Sequence, residues 1–311
     1  MKFHQLSTFV AVVDHGSVTA AADALSVSQP AVSQTIRSLE RDLGVAVFDR
    51  IGRNVRLNAA GEALLPGARQ ALRDLQIARD AVASVSALRS GRLDLVSLPT
   101  LGVSPVAELI GEFHRRHPDI SVRLVEPESA ARIGSVVASG EAEIGFTELT
   151  SQGAVPFDPA TGPDRLESVE LDHQVYVVVY HRSVELDEVH APDGAPVPLT
   201  ELASLPLVTA IEGTSTRRLI DEAFAYVGVA PRIAVETELR EVIAAVVAAG
   251  GGYSILPRVV AEAIGSPDGD IVIAQVAPPI RRRVGVIFRP GAMSPAGRAF
   301  LEVVEESKRR G

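Results

Sequence analysis

The sequence predicts a protein of the α/β class that begins with a small all-α unit, a winged helix-turn-helix. Short helical patterns and a tight turn fill the first 43 residues, and a basic hairpin follows them. A single long helical pattern comes next, and strand and helix patterns alternate beyond residue 90. We therefore expect a head at residues 1–59, a linker helix at 60–89 and an α/β part at 90–311.

The first two helices are predicted from small and apolar residues at helical spacing. Gly16 suits the left-handed position past the end of the first helix, and Ser17 can cap the second. Small residues on the second helix allow two helices to cross closely, as a helix-turn-helix requires. The two packing faces are Phe3, Leu6, Phe9, Val10 and Val13 on the first helix, and Ala20, Ala21, Ala24 and Leu25 on the second.

The third helix is the strongest candidate for a DNA-reading element. Ser28 is its predicted cap, and Pro30 falls in the first turn, where a missing N–H costs nothing. The buried stripe is Val32, Ile36, Leu39 and Leu43. Polar side chains on the opposite face can hydrogen-bond to base edges or phosphates, although a solvated helix face looks the same in isolation. They are Gln29, Ser33, Gln34 and Arg37.

A basic hairpin follows the third helix. Residues 45–48 and 54–57 are predicted to pair as two short strands around Ile51-Gly52-Arg53. Arginine side chains bind phosphate well and also enter narrow minor grooves. Arg50, Arg53 and Arg56 therefore extend the candidate DNA surface, although a charged hairpin on its own is a common feature of proteins that bind no DNA.

This N-terminal stretch resembles the winged helix-turn-helix of the LysR-type transcriptional regulators. The matching residues are Phe9, Ala20-Ala21-Ala22, Leu25, Ser28-Gln29-Pro30-Ala31-Val32-Ser33, Ile36, Leu39-Glu40, Leu43-Gly44, Phe48, Arg50, Leu57 and Ala60-Gly61. The resemblance implies DNA binding through Ser17, Ser28, Gln29, Pro30, Ser33, Gln34, Arg37, Arg50 and Arg53. Asn58 and Ala31 stand where the family often has threonine; Asn58 can still cap the next helix, and Ala31 can alter one contact.

Composition narrows the class of protein. The chain has no cysteine, which excludes disulfides, thiolate metal sites and cysteine nucleophiles. It shows no charged-then-apolar leader and no run of 18 apolar residues, so we expect a cytoplasmic protein without a membrane partner. The net charge is −9 overall, but +2 for residues 1–90 and −11 for residues 91–311. Because so small a positive charge gives a single head modest DNA affinity, we expect the head to act in a dimer or larger assembly.

Residues 58–88 are predicted to form one helix of about 30 residues, roughly 45 Å long. Its narrow apolar seam is typical of a helix that packs against a partner helix, and packing on its own domain is the alternative. The seam consists of Leu65, Ala68, Leu72, Leu75, Ala78, Val82, Val85 and Leu88. In the LysR-type family the corresponding helix forms the dimer contact, so the resemblance implies a homodimer or a homotetramer.

Beyond residue 90, alternating patterns indicate a parallel β-sheet with covering helices. Predicted strands cover residues 93–98, 120–126, 142–146, 175–180, 206–210 and 283–288, and predicted helices cover 105–117, 131–139, 216–227, 241–249 and 295–308. Stretches at 153–163 and 265–270 are predicted crossovers between two subdomains. We place subdomain I at about 90–163 and 268–311, and subdomain II at about 164–267.

This second part resembles the effector domain of the LysR-type regulators, which is similar to type II periplasmic binding proteins. The segments that carry the resemblance are 113–120, 140–145 and 246–257. They imply two Rossmann-like α/β subdomains with a ligand cleft between them. Gly251 replaces the larger apolar residue usual in the family, and we expect it to loosen or enlarge the cleft.

Ligands of parallel sheets bind beyond the carboxyl ends of strands, where helix N-termini point. The residues at such positions are Pro99, Thr100, Leu101, Thr147, Thr209, Ser215 and Thr216. Each hydroxyl alone is equally typical of a helix cap without a ligand. We expect a small, anionic effector to bind one hinge state more tightly, and thereby to change the spacing of the DNA-reading helices.

Enzyme motifs are incomplete in this sequence. Residues 252–256 lack the second glycine of a nucleophile elbow, and residues 140–145 lack the middle glycine of a dinucleotide fingerprint. His114 and His117 could touch one metal ion, but their arginine neighbours favour a solvated basic face. The Arg281-Arg282-Arg283 run is interpreted as a solvated strand entrance. We therefore expect no enzyme activity, no catalytic residues, no metal and no cofactor.

Two functions of other classes stay open. One is a solute-binding protein with an incidental helical head. The predicted lack of a signal peptide argues against it, and so do the residues of the head. The other is a metabolic enzyme fused to a DNA-binding head, which would show turnover or cofactor absorbance. The family resemblance instead implies double-stranded promoter DNA with a T-N11-A type site and a small-molecule effector, with RNA polymerase as a further partner.

Overall fold

The computed structural model describes residues 1–51, 54–84, 91–150, 166–184, 195–264, 270–291 and 293–310. Predictions on Arg53, Val85 and Leu88, on the first crossover and on nearly all of the second lie outside these residues. Within the described ranges, no helix is long and apolar enough to cross a membrane.

The head contains three helices and a hairpin, and a long helix leads out of it. Ser28 Oγ accepts a hydrogen bond from the Ala31 N–H at 3.4 Å and so caps the third helix, as predicted. Asn58 Oδ1 accepts from the Gly61 N–H at 3.0 Å and caps the long helix. The elements are α1 (Phe3–His15), α2 (Val18–Ala24), α3 (Gln29–Leu43), β1 (Phe48–Ile51), β2 (Asn54–Leu57) and α4 (Ala59–Ser84).

The core of the head follows most of the predicted apolar faces. Phe9 and Leu39 are fully buried at its centre, and Ala68 of α4 is buried against it. Three predicted packing residues, Phe3, Ala24 and Leu43, are instead exposed. Each lies at the first or last position of its helix, where the neighbouring helices no longer cover it.

The first wing strand begins at Phe48, three residues later than predicted. Val47 is fully buried, and its N–H donates to Glu40 Oε1 at 3.1 Å. Its carbonyl oxygen accepts from the Asn58 N–H at 3.3 Å. Because these bonds occupy the Val47 backbone, strand pairing starts only at the next residue, where Phe48 lies opposite Leu57.

The α/β part contains every predicted strand and helix, with shifted ends, and several more that the sequence did not predict. In chain order they are β3 (Gly91–Ser97), α5 (Pro99–Leu101), α6 (Ala107–Arg116), β4 (Ile120–Val125), α7 (Ala130–Ala138), β5 (Ile144–Glu148), β6 (Glu167–His181), β7 (Val197–Pro198), α8 (Leu199–Leu202), β8 (Leu207–Ala210), α9 (Ser215–Tyr226), β9 (Ile233–Thr237), α10 (Arg240–Ala248), β10 (Tyr253–Pro257), α11 (Arg258–Ala263), β11 (Ile271–Ala277), β12 (Arg281–Phe288) and α12 (Pro295–Arg310). An irregular turn, Gly102–Val106, joins α5 to α6.

These strands form one mixed sheet in the described part of the chain, in the order β4-β3-β5-β12-β6-β10-β8-β9, with β11 beside β6 and β7 beside β11. The two outer sets, β4-β3-β5 and β10-β8-β9, are parallel, whereas β6 and β12 run antiparallel to their neighbours. One half of β6 pairs with β12, and the other half pairs with β10 and β11. The two α/β units therefore share one continuous strand.

Each unit has its own apolar core. In the first unit, the rings of Phe113 and Phe146 meet the Phe300 ring edge-on, with centroids 5.3 and 6.1 Å apart. In the second unit both faces of the sheet are covered, by a cluster around Phe224 on one face and by a cluster around Val247 on the other. Separate cores joined by a shared strand are suited to hinge motion of one unit against the other.

Gly251 does not enlarge the cleft as expected. It lies in the turn after α10, where a Cβ atom would come within 2.6 Å of Val246 Cγ1. Glycine at this position therefore allows the chain to pack closely against its own helix, and the residue makes a tight turn instead of an open space.

Candidate nucleic-acid interface and ligand cleft

The outer face of α3 presents the polar side chains predicted to contact DNA. Gln29, Pro30, Gln34 and Arg37 are exposed and Ser33 is half-buried. The opposite face is fixed in the core by Val32, Ile36 and Leu39. The amphipathic helix thus holds a rigid row of hydrogen-bonding groups toward solvent, in the arrangement that fits a DNA major groove.

Two serines position the start of this helix. Ser17 Oγ accepts a hydrogen bond from the Ala20 N–H at 3.1 Å, and Ser28 caps α3 as described above. Between them, Ser26 adopts a left-handed conformation with φ 55°, which reverses the chain in a short turn. The turn leaves the N-terminus of α3 exposed, where its free N–H groups can face a phosphate.

The polar face of α3 continues one turn further than predicted. Arg41 is exposed, and its Nε donates to the Arg37 carbonyl oxygen at 3.3 Å. Arg37 Nε in turn donates to the Ser33 carbonyl oxygen at 3.2 Å, so both arginines lie along the helix. Arg41 lies four residues after Arg37, and this helical spacing could have identified it from the sequence as part of the same face. A shallow groove beside these residues is lined by Pro30, Gln34, Arg37, Glu40, Arg41, Gly44, Val45 and Ala46.

The wing contributes one cation that the structure describes in full. Arg56 is exposed on β2, where it lies opposite Asp49 of β1. Arg50 lies on β1 opposite Val55, but its side chain and the whole of Arg53 fall outside the described part of the chain.

The predicted ligand residues lie where strands end and helices begin, between the two α/β units. Thr100 follows β3, Thr147 lies near the carboxyl end of β5, and Thr209 lies near that of β8. All three are buried. Among the described residues, the hydroxyls of Thr147 and Thr209 have no hydrogen-bond partner. Buried hydroxyls without partners are costly, and a bound ligand can satisfy them.

Helices α7 and α9 begin on opposite sides of this boundary and touch across it. The Ser215 N–H donates to the Glu128 carbonyl oxygen at 3.0 Å. Ser215 Oγ accepts from the Ala130 N–H at 3.4 Å. Two ion pairs also cross the boundary, Arg218 with Glu148 and Arg240 with Glu128, the latter at 3.0 Å.

A cavity of about 480 Å³ opens at these contacts, and we call it the ligand cleft. It is lined by Ser129, Ala130, Ala131, Glu148, Leu149, Thr150, Gly213, Ser215, Arg218, Leu219, Arg281, Arg282 and Arg283. Of the predicted ligand residues, Ser215 lines it directly and Thr100 contacts Arg282. Leu101 instead lines a second cavity, of about 640 Å³, together with His173 and Lys308.

Arg282 is the most distinctive residue of the ligand cleft, and it was not predicted. The residue is 4% exposed, and its Nη2 donates to Thr100 Oγ1 and Gln174 Oε1. Its Nε and Nη1 are buried and have no hydrogen-bond partner in the described structure. Nη1 lies 3.9 Å from Glu148 Oε2. A buried guanidinium with free N–H groups is an anion-binding group.

Interpreting the whole Arg281-Arg282-Arg283 run as solvated was therefore wrong. Side chains alternate along a strand, so Arg281 is exposed while Arg282 points the opposite way and is buried. Arg283 is paired with Glu170 through two hydrogen bonds of 2.6 and 2.7 Å. The period-two pattern of a strand was the signal that could have identified the middle arginine.

The ring of Tyr176 lies beside Arg282. The guanidinium carbon of Arg282 lies 5.4 Å from the centre of the Tyr176 ring. Burial raises the pKa of the Tyr176 phenol, although the positive charge of Arg282 and hydrogen bonds with Thr216 and Thr100 act to lower it. The phenol is therefore neutral at physiological pH and able to donate a hydrogen bond.

Two family models match this chain. The model for the bacterial regulatory helix-turn-helix protein of the lysR family matches residues 3–62. The model for the LysR substrate binding domain matches residues 86–309, which is most of the chain. The chain belongs to the LysR family of transcriptional regulators. This LysR-type regulator is thus a DNA-binding protein with an effector-binding domain, in a family whose members bind DNA and form oligomers.

Curated relatives match along nearly the whole chain. The regulator is 28% identical over 306 residues to the uncharacterized HTH-type transcriptional regulator YybE of Bacillus subtilis, covering 98% of each chain. It is 26% identical over 313 residues to the DNA-binding transcriptional dual regulator OxyR of Escherichia coli, covering 100% of this chain and 96% of that one.

Solved structures of full-length regulators have the same architecture. A full-length OxyR variant from Pseudomonas aeruginosa is 25% identical, with a TM-score of 0.75 over 99% of this chain and 95% of that one. Full-length CbnR, in complex with its target DNA, is 27% identical, with a TM-score of 0.66 over 99% of this chain and 100% of that one.

Proposed function

We propose that this LysR-type regulator reads promoter DNA with the outer face of α3, and that a small anionic metabolite in the ligand cleft changes its DNA-bound geometry. The observation that carries the proposal is Arg282, a buried arginine with free N–H groups at the boundary between two hinged units. The domain boundaries assigned from the sequence, 1–59, 60–89 and 90–311, stay part of this proposal.

On the DNA side, Gln29, Ser33, Gln34 and Arg37 contact base edges. The wing arginines bind phosphate, and Ser17, Ser28 and Pro30 position the helix N-terminus. The small positive charge of the head supports binding as a homodimer or a homotetramer to a T-N11-A type site, with RNA polymerase as a further partner. The match to CbnR, solved with its target DNA, supports this arrangement.

On the ligand side, the charges of the ligand cleft favour an anion. Arg218 and Arg282 carry two positive charges, and Glu148 carries one negative charge between them. The N-termini of α7 and α9 add partial positive charge from both units. Thr147 and Thr209 do not line the cavity itself, but their buried, unpartnered hydroxyls lie at the ends of the strands beside it. With the arginines, these groups suit a carboxylate with a nearby hydroxyl or oxo group.

Ligand binding then acts on the hinge. The contacts of Ser215 with Glu128 and Ala130, and the Arg218–Glu148 ion pair, already join the two units. An anion held by Arg282 of one unit and by the start of α9 in the other binds the closed form more tightly than the open form. It therefore shifts the population toward closure, which moves one unit relative to the DNA-reading heads.

Calorimetry with a panel of small carboxylates, phosphates and neutral analogues tests the ligand half of the proposal. We expect carboxylates to bind, and Arg282→Gln to weaken that binding at least about tenfold, because a buried charge-assisted hydrogen bond is lost. Arg123→Gln is the control, since this arginine is exposed on β4 and does not line the ligand cleft, and it should bind nearly as the wild type does. Equal affinity of neutral analogues, or binding unchanged in Arg282→Gln, would contradict the assignment.

A further inference from the structure

Arg69 joins the DNA-reading head to the α/β part. Its side chain is 15% exposed on α4, and the two arms of its guanidinium bind different partners. Nη2 forms an ion pair with Asp14 Oδ1 at 2.5 Å, and Nη1 forms one with Glu141 Oε2. Asp14 belongs to the last turn of α1, whereas Glu141 lies in the turn after α7. One residue of the linker thus holds both functional parts of the chain.

The next residue makes a second contact with the α/β part. Arg289 follows β12, is 4% exposed, and its Nη1 donates to Gln70 Oε1. Two successive residues of α4 are therefore tied to the same unit, one through an ion pair and one through a hydrogen bond. Neighbouring contacts of this kind fix the rotation of a helix as well as its position.

The two elements that lead to Glu141 and Arg289 begin in the ligand cleft. Helix α7 starts at Ala130, which bonds to Ser215 across the cleft, and ends just before Glu141. Strand β12 starts with Arg281 and Arg282 in the cleft and ends just before Arg289. Helix α7 and strand β12 thus each have one end in the ligand cleft and the other near α4.

We propose that Arg69 is a positioning residue that sets where the DNA-reading head stands relative to the effector-binding domain. The inference rests on the proposed function, because it assigns the means by which the ligand cleft controls DNA-bound geometry. When the cleft changes state, α7 and β12 shift Glu141 and Arg289 together, and Arg69 transmits that shift to Asp14 and α1. The Asp14–Arg69–Glu141 contacts require all three charges, so removal of any one breaks part of this link between the head and the α/β part.

Half-site spacing measures head position directly. The test uses the full chain, a duplex that the wild type selects from a random library, and derivatives with base pairs inserted between the half-sites. We expect a sharp spacing preference in the wild type. Glu141→Gln and Arg69→Gln should each flatten that preference about fivefold or more, the usual size of a coupling between sites. The double variant should lose no more than Arg69→Gln alone, because both changes remove the Arg69–Glu141 contact.

Two further variants separate positioning from folding. Glu302→Gln, on the exposed side of α12, removes a carboxylate of the same domain and should keep the wild-type preference. The charge-reversed triple variant D14R/R69E/E141R rebuilds both ion pairs with opposite signs and should regain the preference. A merely structural role for Arg69 predicts instead that each variant loses the preference only as far as its free energy of unfolding falls, which denaturant unfolding of the same variants measures.

The outcomes distinguish failure of the proposed function from failure of the role proposed for Arg69. A wild type that selects no duplex overturns the proposed function and this inference with it. A wild type that selects a duplex while Glu141→Gln keeps the same spacing preference overturns the inference alone. Additive loss in the double variant, or no recovery in the triple variant, also overturns it.

Discussion

Arg218 of α9 forms an ion pair with Glu148 at the end of β5, and this pair joins the two α/β units across the ligand cleft. Glu148 is buried, whereas half of the Arg218 side chain is exposed. Glu148 also lies 3.9 Å from Arg282, so one internal carboxylate faces both cations proposed to attract the ligand. The charge of the ligand cleft and the contact between the two units therefore depend on the same side chain.

Glu148→Gln should loosen the boundary between the units, because the ion pair that closes it is lost. Hydrogen exchange of the Ser215 amide reports the effect, since that N–H donates to Glu128 across the cleft. We expect exchange to accelerate about fivefold, the effect of roughly 1 kcal/mol for a partly exposed ion pair. Glu222→Gln removes the other carboxylate bound to Arg218 within the same helix and should leave Ser215 protected. Unchanged exchange in Glu148→Gln would show that the pair does not hold the cleft closed.

Gln34→Ala should relax sequence choice without abolishing DNA binding. An amide that contacts a base edge contributes about 1–3 kcal/mol of discrimination, and its loss affects the correct base more than other bases. Ser33→Ala should act in the same direction. Binding to the selected duplex and to single-base variants of it measures the change. An equal loss of affinity on every sequence would contradict base reading by Gln34.

Arg56→Ala should weaken binding to all duplexes alike. Arg56 is exposed on the wing, and a phosphate contact adds affinity without sequence information. The slope of log affinity against log salt should become shallower by about one unit, because one fewer counterion is released. We expect the same of Arg53→Ala from the sequence. A slope that stays at the wild-type value would remove Arg56 from the DNA surface.

Gly61→Ala should destabilise the head, because a Cβ atom there would overlap the Val47 carbonyl oxygen. Overpacking of this kind costs about 1–3 kcal/mol in free energy of unfolding. Gly67→Ala is the matched control in the same helix, since no atom lies within 4 Å of its Cβ position. It should be neutral or stabilising by up to about 1 kcal/mol. Denaturant unfolding of both variants decides the comparison, and equal stabilities would refute the close-packing argument.

The ion pairs of Arg116 should make the free energy of unfolding depend on pH in the acid range. It pairs with Glu112 of α6 and with Glu306 of α12, and hydrogen bonds from Arg116 are the main reason that the pKa of each carboxyl lies below its ordinary value. Carboxyls with lowered pKa contribute stability above their unfolded pKa of 4.5, and that contribution is lost as pH falls through the folded pKa. Arg116→Gln should therefore unfold more easily at neutral pH, and the difference from wild type should shrink below pH 4.5.

Exposed Arg132 provides the control for this pH profile, and Arg132→Gln should follow the wild type at every pH. A stability difference between Arg116→Gln and wild type that stays constant from neutral to acid pH would contradict the ion-pair assignment.

The sequence predicted those parts of the fold that local chemistry determines. Ser28, Pro30 and the apolar stripe defined α3, and Asn58 defined the start of α4, because caps and helical spacing act within a few residues. The first half of β6 was missed, since residues 167–174 are mostly polar and the strand is held by pairing with the distant β12. Pairing with a distant strand produces little signal in the sequence of the strand itself.

The ligand cleft shows the same division between local and distant information. The ends of strands and starts of helices placed Thr100, Thr209 and Ser215 near the boundary between units. Strand alternation sets Arg282 apart from its neighbours, but its burial was missed because the partners that enclose it, Thr100 and Gln174, lie more than 100 residues away in the chain. Local charge suggested a solvated arginine, and tertiary packing reversed that outcome.

Binding of the full chain to duplex DNA, measured by gel retardation at low ionic strength, tests whether α3 reads DNA sequence. The duplexes are a T-N11-A type promoter fragment and a scrambled fragment of the same composition. We expect the wild type to retard the first fragment more strongly than the second, and Gln34→Ala to narrow the difference. A properly folded protein that retards no duplex of any sequence would show that α3 does not read DNA.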